Sequence, residues 1–333
     1  QVTLNWNAVS GADGYKVFRG VGSASTLVTT VGAVTTYADT AADPGVVYTY
    51  AIKAMKASVD SAASAVDTGY RGLSAPTGLT ATSGTSTANV TLQWGAVTGA
   101  TSYKVFRDGT DITPVTPITT TTYADTGAVA GTLHSYLVRA SKSGVEDSAS
   151  SASASGYRKL LAPTSVLASD GTSTSGVTVS WTASAGGVSA YTVYRGTSAA
   201  LLNSLGTVSG DVTSYVDSTA VAGTVYTYAV DAVGLTGAGS SEKSVTDTGF
   251  KASATTPTGL VATDGTSTAQ VTLNWNAVSG ADGYKVFRGV GSASTLVTTV
   301  GAVTTYADTA ADPGVVYTYA IKAMKASVDS AAS

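Results

Sequence analysis

The stretch QVTLNWNAVSGADGYKVFRG, Gln1–Gly20, decides the fold. In Val2-Thr3-Leu4-Asn5-Trp6 the apolar residues Val2, Leu4 and Trp6 alternate with Thr3 and Asn5, which is the period of a strand with one buried face. After a turn rich in Ser, Gly and Asp, alternation resumes in Tyr15-Lys16-Val17-Phe18-Arg19. Both phrases return along the chain. VTLQW (Val90–Trp94) precedes YKVFR (Tyr103–Arg107), VTVSW (Val177–Trp181) precedes YTVYR (Tyr191–Arg195), and VTLNW (Val271–Trp275) precedes YKVFR (Tyr284–Arg288). The four tryptophans, Trp6, Trp94, Trp181 and Trp275, therefore mark steps of 88, 87 and 94 residues.

Two more phrases keep that step. TTYADT begins at Thr35, Thr121 and Thr304, with TSYVDS at Thr213. VVYTYAIKA (Val46–Ala54 and Val315–Ala323) has the counterparts TLHSYLVRA (Thr132–Ala140) and TVYTYAVDA (Thr224–Ala232). Clusters of Gly, Pro, Asp and Ser separate the phrases, and no window reads as an amphipathic helix of useful length. About seven short strands per roughly 90 residues, with a turn signal every 8–12, predicts an all-β chain of antiparallel β-sandwiches. The division is 1–73, 74–161, 162–255 and 256–333. Gln1–Ser64 and Gln270–Ser333 are identical at an offset of 269 residues, so the fourth unit copies the first.

The units resemble fibronectin type III domains, in the form common in large secreted bacterial proteins. The resemblance rests on the opening strand APTGLTAT (Ala75–Thr82), the tryptophan of the second strand, the tyrosine of the third, and Pro44-Gly45-Val46-Val47-Tyr48. It covers essentially the whole chain. It implies a linear array of four immunoglobulin-like sandwiches, with the tryptophans in the cores. It also implies a corner tyrosine that ties down the turn before the sixth strand: Tyr48, Tyr226 and Tyr317 fill that place, and His134 fills it in the second unit. By the same comparison the first and last units are incomplete, lacking the counterparts of residues 256–269 and 65–71. A segment of a longer periodic chain, or a strand donated by a neighbouring subunit, would account for this. Short linkers (Gly69-Tyr70-Arg71, Gly156-Tyr157-Arg158, Gly249-Phe250-Lys251) predict end-to-end domains with limited bending.

Composition narrows the function classes. With 18 basic and 21 acidic residues and no run of either sign, the chain has no electrostatic footprint for nucleic acid or an anionic membrane. No apolar stretch is long enough for a membrane span. Cysteine is absent and there is one histidine, so thiol chemistry and a repeated Ser–His–Asp arrangement are excluded. His134 reads as the corner side chain, using a ring N–H in place of a tyrosine hydroxyl. The recurring Asp39, Asp125, Asp217 and Asp308 read as turn residues that accept backbone N–H groups. A calcium site would need several converging oxygens, and no D-x-D-x-D loop exists. No cofactor is expected.

One surface feature recurs. Tyr15 and Val17 face the core, which turns Phe18 outward, and likewise Phe106, Tyr194 and Phe287. Such a ring either lies across its own sheet beneath lysine stems or makes a lateral contact with neighbouring chains or sugars. The expected function is structural and non-catalytic: a rod-like segment of an extracellular surface filament, sheath or adhesin stalk. Its partners would be further copies or covalent continuation of the same repeat, with surface polysaccharide as a further candidate. The alternative is a spacer array in a polysaccharide-associated, carbohydrate-active enzyme. Every tryptophan is placed in a core, which argues against a binding module built on exposed aromatics.

Overall fold

The computed structural model describes residues 1–252, 254–325 and 328–333. All regular structure among them is β, in two compact units, Gln1–Lys159 and Leu160–Ser333. The third sandwich shows the pattern complete: β1 (Thr164–Ala168), β2 (Val177–Thr182), β3 (Val188–Gly196), β4 (Asn203–Ser209), β5 (Ser214–Asp217), β6 (Val225–Gly234) and β7 (Asp247–Phe250). One sheet has the order β1-β2-β5, the other β4-β3-β6-β7, and every pairing is antiparallel. The other sandwiches repeat this two-sheet pattern.

Alternation sets which side chains meet between the sheets. Val177, Val179, Tyr191, Val193, Tyr228 and Val230 are fully buried, while Thr178 on the opposite face of β2 is exposed. Each tryptophan meets the tyrosine of the third strand edge-on: Trp6–Tyr15, Trp94–Tyr103, Trp181–Tyr191 and Trp275–Tyr284, with centroids 5.3–5.4 Å apart. Such a pair adds about 0.5–1.5 kcal/mol beyond the area it buries. The tyrosine hydroxyl also accepts a backbone N–H from the loop between the second and third strands: Val9, Val97, Ser184 and Val278 donate at 2.7–3.0 Å. A buried hydroxyl is thus satisfied by the loop it anchors.

The repeated 64 residues show how far burial depends on neighbouring strands. In the fourth sandwich Leu273, Trp275, Ile321 and Ala323 are buried, with Leu260 and Ala262 of the leading segment packed on them. Their counterparts Leu4, Trp6, Ile52 and Ala54 are half-buried, because the small sheet of the first sandwich has two strands rather than three. Conversely, Asp67–Tyr70 pairs with Val47–Tyr50 and buries Tyr48 and Tyr50, whereas Tyr317 and Tyr319 are half-buried. Of the expected core positions, Trp6 and Tyr317 are half-buried on this ground, and Tyr226 is half-buried although its seventh strand is in place.

Serine has a structural use that the sequence hides. In S-x-x-S segments that follow each sixth strand, the side-chain oxygens stand in for a backbone partner of that strand. Ile52 and Ala54 donate to Ser64 and Ser61, Val138 and Ala140 to Ser151 and Ser148, Val230 and Ala232 to Ser244 and Ser241, and Ile321 and Ala323 to Ser333 and Ser330, at 2.9–3.1 Å. The serine N–H returns a bond to the same residue's carbonyl, as from Ser148 to Ala140 and from Ser151 to Val138 at 2.9 Å. Replacing Ser148 and Ser151 by Ala leaves two buried N–H groups unpaired, at about 1–3 kcal/mol each. Scanning calorimetry of the double variant is expected to show the second sandwich melting well below its wild-type transition.

Candidate functional site

The most chemically loaded place in each sandwich lies where the third, fifth and sixth strands converge. Asp39, Asp125, Asp217 and Asp308 end their fifth strands and are buried. One carboxylate oxygen accepts the backbone N–H two residues on, from Ala41, Gly127, Thr219 or Ala310, at 3.0–3.1 Å. That much is the turn role expected from the sequence. The other oxygen accepts from a third-strand arginine at 2.7–2.8 Å: Arg19, Arg107, Arg195 or Arg288. It also accepts the hydroxyl of a sixth-strand tyrosine at 2.8–3.0 Å: Tyr50, Tyr136, Tyr228 or Tyr319. A carboxylate at the end of the small sheet therefore grips two strands of the larger one.

The electrostatics are those of a closed ion pair. Burial alone would raise the Asp217 carboxyl, but hydrogen bonds from Thr219, Arg195 and Tyr228 hold it below the usual carboxylate range. Burial, then the bond to the carboxylate, pushes Tyr50, Tyr136 and Tyr228 up, and pushes Tyr319 up to about 12. These groups hold each other and leave neither a free base nor a free acid.

The corner residues pack against this cluster. Tyr48 and Tyr317 donate to Asp43 and Asp312 at 2.8 Å, in the turn just before them. The guanidinium groups of Arg19, Arg195 and Arg288 lie over the rings of Tyr48, Tyr226 and Tyr317 at 4.5–4.6 Å. His134 occupies the corresponding place, but its Nδ1 pairs with Asp108 at 2.6 Å, in the turn after the third strand. Asp108 also accepts the Ser135 N–H at 2.8 Å, so the pair closes a local turn and presents no nucleophile.

Phe18, Phe106, Tyr194 and Phe287 are half-buried on the outer face of the larger sheet, each beneath a cation. Lys53, Arg139, Lys243 and Lys322 lie 4.2–5.4 Å from the ring centres. In the third sandwich the cation moves to the seventh-strand side, because Asp231 stands where Lys53 does and accepts the Tyr194 hydroxyl at 2.9 Å. No described Trp, Tyr or Phe is fully exposed. Among the described residues no group of three His, Asp or Glu side chains could hold a metal ion. Among the described residues no helix is long and apolar enough to cross a membrane.

Residues 161–248 match the family model of the fibronectin type III domain. The same strand order and the same Asp–Arg–Tyr grip recur in the neighbouring sandwiches. The chain is a tandem array of fibronectin type III domains. It is 34% identical over 277 residues to exoglucanase B of Cellulomonas fimi, covering 74% of this chain and 24% of that protein. It is 42% identical over 83 residues to a poly(3-hydroxybutyrate) depolymerase of Delftia acidovorans, covering 25% of this chain and 16% of that protein. To chitinase A1 of Niallia circulans it is 34% identical over 172 residues, covering 47% of this chain and 22% of that protein. The chain thus spans less than a quarter of the length of these relatives. Among solved structures it matches a two-domain fibronectin type III segment of chicken tenascin at 24% identity and a TM-score of 0.33, covering 52% of this chain and 96% of that one. The FN1–FN3 domains of chicken CNTN1 match at 16% identity and a TM-score of 0.30, covering 78% and 96%.

The tyrosine environments give a pH dependence of definite sign. Above pH 10 the unfolded chain releases phenolic protons that the folded chain retains, so stability falls as pH rises toward the folded values. An absorbance titration at 295 nm is expected to show the four gripping tyrosines ionising with loss of β-sheet circular dichroism. Their reversible ionisation near pH 10 in a folded chain would contradict the buried grip.

Proposed function

We propose that the chain is a non-catalytic spacer array of a secreted, polymer-degrading protein, setting the distance between modules that carry the chemistry. The observation that carries this reading is the set of relatives. A glucanase, a chitinase and a polyester depolymerase each match a stretch of this chain, and the polymers named are two polysaccharides and a polyester. A part common to all three does not choose the polymer. The site agrees: every recurring carboxylate is spent on an ion pair within its own sandwich, and no ring is exposed as a platform for sugar stacking. Secretion follows from the same reading.

The filament, sheath or stalk expected from the repeats is the second reading, and the relatives favour it less. It is supported by the identity of residues 1–64 with 270–333, the mark of a duplicated length unit. In that role Phe18, Phe106, Tyr194 and Phe287 would be lateral contacts made through their covering cations.

Mixed with cellulose, chitin or poly(3-hydroxybutyrate) particles, the purified chain is expected to stay in the supernatant and release no soluble product. Retention on one polymer would make the array a binding module, and released product would make it an enzyme. In exoglucanase B, exchanging the matching segment for this chain is expected to keep activity on polymeric glucan above that of a deletion variant. Equal activities of exchange and deletion would remove the spacer role.

A further inference from the structure

The chain leaves each sandwich along a fixed path. Gly45, Gly131 and Gly223, all at positive φ (70°, 72° and 76°), donate their N–H to the linker carbonyls of Arg71, Arg158 and Lys251 at 2.8–2.9 Å. On the other side of the linker, Gly84 and Gly171 donate to Tyr157 and Phe250. Lys159 and Ala252 donate back to Ser86 and Ser173. The exit is held by both turns in the second and third sandwiches and by the Gly45 turn in the first, and freedom between neighbours then depends on how the next sandwich packs against it.

Two joints, one inside each compact unit, differ at aligned positions. Between the first and second sandwiches, Leu73 of the linker is buried in the core of the second. The Pro44–Gly45 turn reaches the following sandwich: a Cβ placed on Gly99 would come within 2.1 Å of the Pro44 carbonyl oxygen, and one on Gly45 within 3.0 Å of Leu73 and 3.1 Å of Lys142. The Tyr70 hydroxyl accepts the Glu146 N–H at 3.3 Å. Between the third and fourth sandwiches, where the linker is one residue longer, Ala254 stands three residues before the proline as Leu73 does, and Phe250, which has no hydroxyl, stands in place of Tyr70. A Cβ on Gly280, the counterpart of Gly99, would meet Lys325 of its own sandwich at 3.0 Å and no described residue of the third. Gly11, the counterpart in the first sandwich, likewise meets its own Lys56 at 3.0 Å. A cleft of about 280 Å³ opens between Gly171–Thr174 of the third sandwich and Ala254, Thr256 and Ala331.

We propose that the two joints are mechanically unequal: the first-to-second joint is locked by Leu73, Tyr70 and the Pro44–Gly99 contact, and the third-to-fourth joint is an articulation. Domain motion is the default where an interface is small or poorly filled. A buried leucine resists tilting because any opening exposes it to water. The inference concerns bending and is independent of what the array carries.

The absence of cysteine gives clean labelling of the full chain. Nitroxides at Ala38→Cys and Ala124→Cys report the first joint, and those at Val216→Cys and Ala307→Cys the second; all four positions are exposed counterparts on the fifth strand. Pulsed dipolar distance distributions are expected to be about twofold wider across the third-to-fourth joint. Ala254→Leu with Phe250→Tyr should narrow that distribution, and Leu73→Ala with Tyr70→Phe should widen the other. If the filled variant fails to fold, the Leu73→Ala, Tyr70→Phe pair still decides the matter. Equal widths at the two wild-type joints, or no widening on removing Leu73 and the Tyr70 hydroxyl, would overturn the proposal.

Discussion

The buried aspartate at the end of each fifth strand is the constraint on which the rest depends. A carboxylate with almost no access to water is costly unless charge and hydrogen bonds compensate it. Here the compensation comes from an arginine of the third strand, a tyrosine of the sixth and a backbone N–H of the following turn. These come from both sheets, so satisfying one carboxylate fixes how the sheets meet. The arginine so held then lies over the corner tyrosine in three sandwiches, which carries the constraint into the turn that grips the linker.

The same arrangement leaves the recurring carboxylates and phenols paired with one another. General acid–base work needs a group whose proton can leave for a substrate, and these carboxylates and phenols are committed to one another. The lone histidine is committed to Asp108. The outer-face rings of Phe18, Phe106, Tyr194 and Phe287 lie beneath cations. On the proposed spacer reading the interest shifts to the joints, where we infer that single side chains decide between a fixed and a yielding connection.

Much of the fold was legible in the sequence. Period-2 phrases around Trp6, Trp94, Trp181 and Trp275 place the strands, and Tyr15 and Val17 emerge on the core side as the alternation requires. The aspartates were legible as turn residues but not as ion-pair partners, because Arg19 and Asp39 lie on strands that meet only through the packing of two sheets. A signal existed: the gripping tyrosine follows its aspartate by 11 residues in every unit, and the arginine precedes it by 18 to 22. The serine pairs were illegible, since Ser61 and Ser64 look like loop composition until the sixth strand's N–H groups lie beside them. His134 aligned with the corner tyrosines, yet took its partner from a different turn. Trp6 and Tyr317 show the limit of local reading: one sequence in two settings gives two degrees of burial.

The central claim is that the carboxylate grip, and not general packing alone, ties the sheets together. A double-mutant cycle on Asp217 and Arg195 in the full chain tests it most directly, with Asp217→Asn, Arg195→Met and their combination followed through the third sandwich's unfolding transition. A charge-assisted, buried contact predicts a coupling energy of about 1.5–3 kcal/mol between the two sites. Additivity within about 0.5 kcal/mol would contradict the account.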